Sequence, residues 1–213
     1  VLILTEFIPG LYILTGTTIQ TISFVAMMRS QLGNSSPMNT ELKSEYSLRK
    51  VESDAYDAYA ISTFTNHYII ISERLLDEFE DDEVQSIIYH EESHIKNGDS
   101  FLSFIIPIIG LITFAPQGVL FESLDFRSRE IRADREAFTR SDGKLEDTLT
   151  KLRTKQVFES ENEGESTFSP FSGEVNEDEN KPDEYRLLYG AHALEEAHLS
   201  IPERIERLRN HPK

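Results

Sequence analysis

The sequence of 213 residues has no cysteine. That absence excludes a disulfide framework, a thiolate zinc site and a cysteine nucleophile together. Basic residues are scarce: 21 Lys plus Arg stand against 38 Asp plus Glu, for a formal charge of -17. Nucleic-acid phosphates demand a basic face, and anionic lipid headgroups attract polybasic segments, so neither is expected as a docking surface. The acidic surplus has two readings that the composition leaves open, solubility and adaptation to high salt. The apolar fraction of 38% is low but sufficient for one core in a chain of this length. No internal repeat occurs. The chain opens Val1-Leu2-Ile3 without methionine, which suggests a fragment or a trimmed product.

Two stretches lack charge, residues 7–28 and 100–121, each of 22 residues. Either is long enough to cross a hydrocarbon layer of ~30 Å. The first lacks a small-residue cleavage site, so residues 1–30 read as an N-terminal membrane helix rather than a signal peptide, with Arg29 marking a cytoplasmic flank. The second carries Pro107, Gly110 and Pro116.

Residues 40–213 read as a separate folded unit of the α+β class. Short strands are predicted at Ala58-Tyr-Ala-Ile and His67-Tyr-Ile-Ile-Ile-Ser, rich in aromatic and β-branched residues. Asp81-Asp82-Glu83 opens a helix with acids in its first turn, and Gly98 stands where a C-terminal cap belongs. Val84, Ile87, Ile88 and Ile95 recur at helical spacing and give that helix one buried face. A second helix is expected from about 122 to 140, and a short amphipathic helix from Pro202. Residues 159–184 hold ten acids and one lysine among Ser, Gly, Asn and Pro, a composition for a mobile insert, a lid over a cleft in one reading.

The predicted helix contains His90-Glu91-Glu92-Ser93-His94. Positions i and i+4 stack on one face, so both imidazoles can bind one ion while Glu91 leans beside it. Chance yields this pattern on the order of 0.02 times in such a chain. The donor types suit Zn²⁺, which in catalytic sites takes three protein ligands and a water. Glu130, in Ser128-Arg-Glu-Ile-Arg-Ala-Asp134, is the candidate third ligand. Asp134, four residues on and on the same face, could accept the free ring N–H of a ligand histidine. His67, His192 and His211 have no matching neighbours and read as solvent or core residues.

His90-Glu-Glu-Ser-His-Ile-Lys-Asn-Gly-Asp99 and Ser-Arg-Glu130-Ile-Arg-Ala-Asp134 together resemble the signature of metallopeptidase family 48, which includes HtpX-type membrane proteases and the CAAX prenyl proteases. Asp57-Ala58-Tyr59-Ala60 resembles that family's Asn-Ala-Phe-Ala strand near the substrate cleft. His198-Leu-Ser-Ile-Pro-Glu-Arg204-Ile-Glu-Arg-Leu resembles its His-Pro…Arg-Ile…Leu ending. HtpX-type proteins place two membrane helices between the histidine motif and the glutamate. Here only 40 residues separate His90 from Glu130, a spacing more similar to the sister BlaR-type sensor metallopeptidases. Those usually carry Cys where this chain has Ala133.

The resemblance implies a mainly helical gluzincin fold with a small sheet and a zinc-dependent endopeptidase acting on membrane-associated or misfolded proteins. Its alternatives are a membrane sensor peptidase and a silent scaffold with structural zinc. Glu91 would be the general base, His198 the oxyanion donor and Arg204 a structural partner of the site. The substrate would bind as an extended strand along residues 57–61. A shared ion also constrains topology. His94 and Glu130 must lie on one side of any membrane, so residues 100–121 are expected to form a hairpin bent near Pro107–Gly110 or Pro116, or to be buried core. Residues 7–28 would then be the full crossing, with the catalytic domain at the cytoplasmic surface.

Overall fold

The structure is a computed structural model that describes residues 28–63, 65–113, 125–163 and 200–210, with helical positions between 14 and 26. Its elements run β1 (Ser35–Pro37), β2 (Ser47–Val51), β3 (Ala58–Ser62), β4 (His67–Ser72), α1 (Glu73–Glu78), α2 (Asp81–Lys96), α3 (Asp99–Thr113), α4 (Phe126–Arg140), α5 (Lys144–Glu163) and α6 (Ile201–Arg209). Both predicted strands are present, as β3 and β4.

The sheet order is β1-β2-β4-β3, with β2 parallel to β4 and the other pairs antiparallel. β4 is central and apolar on both faces. Its side chains alternate, so Ile69 and Ile71 enter the main core with Leu75, Ile87 and Ile88, while Ile70 meets Ile61 and Met28 on the other face. Each such buried isoleucine contributes roughly 1.5–3 kcal/mol. Residues 28–34 are helical, and Met28 of that helix packs on the second face. Most of 7–28 lies outside the described residues. Among the described residues no helix is long and apolar enough to cross a membrane.

α2 starts on a reciprocal cap: the Glu80 side chain accepts from the Glu83 backbone, and Glu83 Oε2 accepts from Glu80 N at 2.9 Å. It ends at Asn97, followed by Gly98 at φ +77°, the left-handed position that favours glycine. α4 begins at Phe126 behind the cap Asp125, which accepts from Ser128 N at 3.0 Å. Leu145, Leu149 and Leu152 of α5 share the core with Ile201, Ile205 and Leu208 of α6.

Two expectations fall only partly on the described residues. Residues 99–113 form one helix that passes through Pro107 and Gly110 without a bend back. Proline has a helical φ and removes one backbone hydrogen bond. The packing of α3 on α2 and β3, with Ile106 buried, outweighs that cost. At ~1.5 Å per residue the 15 described residues of α3 span about 22 Å, short of the hydrocarbon thickness. The second bend site, Pro116, lies outside the described residues. The acidic run 159–184 is not wholly loop either, because α5 continues to Glu163. The rest of that run lies outside the described residues.

Candidate active site

α2 and α4 meet face to face, and the reason is in the sequence of α4. Its buried residues are Glu130, Ala133, Asp134 and Ala137, one helical stripe in which two members are alanines. Both alanines are fully buried, so nothing bulky holds the helices apart. Glu130 and Asp134 are thereby pressed against the histidine face of α2.

The three donors converge. His90 Nε2 and His94 Nε2 lie 3.1 Å apart. Glu130 Oε2 is 3.5 Å from His90 Nε2, and Glu130 Oε1 is 3.3 Å from His94 Nε2. The other ring nitrogens are committed elsewhere: His90 Nδ1 is 3.0 Å from Asp134 Oδ1, and His94 Nδ1 is 3.2 Å from Asp99 Oδ2. A carboxylate only accepts, so each Nδ1 carries the hydrogen and, when the rings are neutral, each Nε2 presents a lone pair to the other. Two lone pairs and a carboxylate facing one point repel unless a cation sits among them. Tetrahedral zinc with bonds of ~2.0–2.1 Å separates its donors by about 3.3 Å, which these spacings fit. Among the described residues, this is the group of His, Asp and Glu able to hold a metal ion.

The electrostatics agree. Burial alone would lower the His94 pKa, but Glu130 first, then Asp99 and Glu91, override it and push it up to about 10. Burial would raise Glu130, yet His94 and His90 hold it well below the usual carboxylate range. The pocket is built to hold positive charge.

Glu91 is 3% exposed, and burial raises its carboxyl pKa against the opposing pull of His90 and His94. Its Oε1 is buried without a hydrogen-bond partner among the described residues. Glu92, next in sequence, is held differently. Its Oε1 accepts from Ser44 Oγ at 2.7 Å and Glu45 N at 2.8 Å, and its carboxylate pairs with Arg140 at 2.7 Å.

Behind His90, Asp134 meets Arg204 of α6, with Nε to Oδ2 at 2.8 Å and Nη2 to Oδ1 at 2.5 Å. Both side chains are buried, and Arg204 Nη2 also approaches His90 Nδ1 at 3.4 Å. β3 is an edge strand of the sheet. Ala58 and Ala60 join the core cluster that contains α2, whereas Tyr59 packs with Met28 and Ile70 on the far face, where burial first and Asp57 second push its pKa up to about 12. Asp57 precedes the strand and exchanges two hydrogen bonds with Ser72. His198 lies outside the described residues. Asp99, Arg129 and Arg132 were left without a role in the sequence, although a carboxylate just past the Gly98 stop and arginines at -1 and +2 from Glu130 were the available signal.

Comparison with known proteins bears on this geometry. The crystal structure of S. mikatae Ste24p has a similar fold, with a TM-score of 0.50 at 16% identity. The match covers 96% of this chain and 62% of that one, so the chain spans less than two thirds of it. No curated protein sequence matches the chain. A model of peptidase family M48 matches residues 26–211, which takes in the sheet, the histidine helix, the glutamate helix and α6. Of the two resemblances drawn from the motifs and their spacing, it is this one that the chain fulfils: it belongs to peptidase family M48, the zinc metalloproteases.

Proposed function

We propose that the chain is a zinc-dependent endopeptidase in which His90, His94 and Glu130 hold the ion and Glu91 moves the proton. The observation that carries this reading is the buried Glu91 Oε1, partnerless among the described residues, on the same helix as two converging imidazole lone pairs. Such an orphaned acceptor costs about 1–3 kcal/mol in a merely structural role and is ready for a water proton in a catalytic one. Bound zinc supplies Lewis-acid polarisation of the scissile carbonyl and acidifies water. Glu91 takes the proton of the attacking water and delivers it to the nitrogen of the leaving amine as the peptide C–N bond breaks. Asp134 fixes the tautomer of His90, and Arg204 holds Asp134. His198 is the proposed donor to the tetrahedral oxyanion.

The substrate is an extended polypeptide, membrane-associated or misfolded, that adds to β3 along Asp57, Ala58, Tyr59 and Ala60. The edge position of β3, with Ala58 and Ala60 on the α2 side, supports this docking. Residues 40–213 form the peptidase domain, with the acidic segment 159–184 governing access. Residues 1–30 and α3 associate with the membrane and hold that domain at its cytoplasmic surface. Ile19 and Ile22, 59% and 63% exposed, and Ile109 on α3 support that placement.

Glu91→Gln tests the reading beside His90→Ala and Glu130→Ala. Metal analysis should find about one zinc in wild type and Glu91→Gln, and much less in the other two. Hydrolysis of an unfolded protein should fall 10²–10⁴-fold in Glu91→Gln, about 3–5 kcal/mol of barrier. A Glu91→Gln protein as active as wild type sinks the mechanism.

A further inference from the structure

Asp99 is the first residue of α3 and follows Gly98, whose φ of +77° reverses the chain at the end of α2. That turn brings the Asp99 carboxylate back against the last turn of the histidine helix. Oδ2 accepts from His94 Nδ1 at 3.2 Å and from Arg132 Nη2 at 2.6 Å, and Oδ1 accepts from Arg129 Nη1 at 2.9 Å. The side chain is largely buried. Both arginines belong to α4 and flank Glu130. Asp99 faces the ring nitrogen opposite the converging Nε2 atoms, so it is not one of the three donors.

We infer that Asp99 is a positioning residue for the metal centre. Its carboxylate holds His94 in the Nδ1–H tautomer with Nε2 aimed at Glu130, and the hydrogen bond makes that nitrogen a stronger donor. Arg129 and Arg132 clamp the carboxylate from the helix that carries Glu130, so the second histidine and the third ligand keep one register. The centre then has two carboxylate supports of different origin: His90 leans on Asp134 and α6, His94 on Asp99 and α3. The apolar helix α3 is tied to the ion site through its first residue.

A bland role is available, since an acid in the first turn of a helix stabilises that helix by ~0.3–1 kcal/mol through its dipole. The two roles differ in what they move. The inference rests on the metallopeptidase reading, and the experiment separates the two.

Zinc affinity is measured by competition with a chromogenic chelator for wild type, Asp99→Asn, Asp99→Ser and Asp99→Ala, with kcat and KM at saturating zinc. Asp99→Ala and Asp99→Ser should bind zinc 10–100-fold more weakly and lose kcat with KM within twofold. Asp99→Asn retains an acceptor but no charge and should fall between. A helix-end role predicts the opposite: altered unfolding temperature with zinc affinity unchanged. If Asp99→Ala does not fold, the near-isosteric Asp99→Asn decides, and affinity within twofold of wild type overturns the inference. ¹⁵N chemical shifts of the His94 ring in zinc-free protein, recorded at a pH where the ring is neutral, give a second readout. Wild type should show Nδ1–H, and Asp99→Ser a mixture of tautomers; identical shifts overturn the inference. Wild type that binds no zinc overturns the metallopeptidase reading instead, and the ring shifts still judge Asp99.

Discussion

Replacing Arg204 by methionine should uncouple α6 from the metal centre, and the size of the effect follows from burial. Arg204 and Asp134 side chains are 3% and 5% exposed and share two hydrogen bonds. Methionine keeps most of the apolar stem but leaves the Asp134 carboxylate with the His90 Nδ1–H as a known partner. Stranding a buried charge costs about 3–5 kcal/mol. The remaining imidazole puts the loss near the lower end, ~3 kcal/mol, or roughly 6–12 °C in unfolding temperature for a chain of this size. Asp134→Asn removes the stranded charge, so the double variant should lose less than the sum of the singles, with a coupling of about 1–3 kcal/mol.

The assay is urea unfolding of zinc-free protein through the full double-mutant cycle. It has a pH signature. Burial would raise Asp134, but Arg204 and His90 lower it below 3.8. A depressed carboxyl contributes stability that is present above the unfolded value and lost as pH falls through the folded one. Wild type should therefore shed this contribution below about pH 3.8, and Arg204→Met should shed less. Stability of Arg204→Met within ~0.5 kcal/mol of wild type, or strict additivity in the cycle, would refute the reasoning.

Zinc should also rewrite the pH dependence of stability. With His94 pushed up to about 10, zinc-free protein carries a contribution that is complete below about pH 6.5 and lost as pH rises through about 10. Urea midpoints across that range should decline without metal and stay flat with zinc, which takes the place of the proton; parallel curves would contradict this. Glu92→Gln separates the two adjacent glutamates of the motif. It keeps an acceptor for Ser44 and Glu45 but loses the Arg140 ion pair, so stability should fall about 1–3 kcal/mol while turnover stays within a few fold. A loss of turnover like that of Glu91→Gln would put Glu92 in the chemistry.

What the sequence announced was local. His90 and His94 are legible because helical spacing alone stacks them, and β4 because its run of β-branched and aromatic residues follows the turn-like Asn66. Glu130 followed from the demand of two histidines for a third donor. β1 and β2 were not legible: Ser35–Pro37 and Ser47–Val51 show no alternation, and the parallel β2–β4 pairing is set at long range. The helix through Pro107 was missed because α2 and β3, distant in sequence, offset the lost hydrogen bond. α5 was missed because its apolar face, Leu145, Leu149 and Leu152, is sparse among polar residues.

Asp99 illustrates the boundary between the two kinds of information. Its place after Gly98 is a local fact, but its partners depend on how α4 docks. α4 carries Glu130 for the proposed ion, Asp134 for His90, and Arg129 and Arg132 for Asp99, all within six consecutive positions. A shift of one helical residue rotates the face by about 100° and would misplace all of them together. Ala133 and Ala137, fully buried in the same stripe, leave room for the close approach. The geometry of the proposed metal centre therefore depends on two small buried side chains as well as on its charged residues.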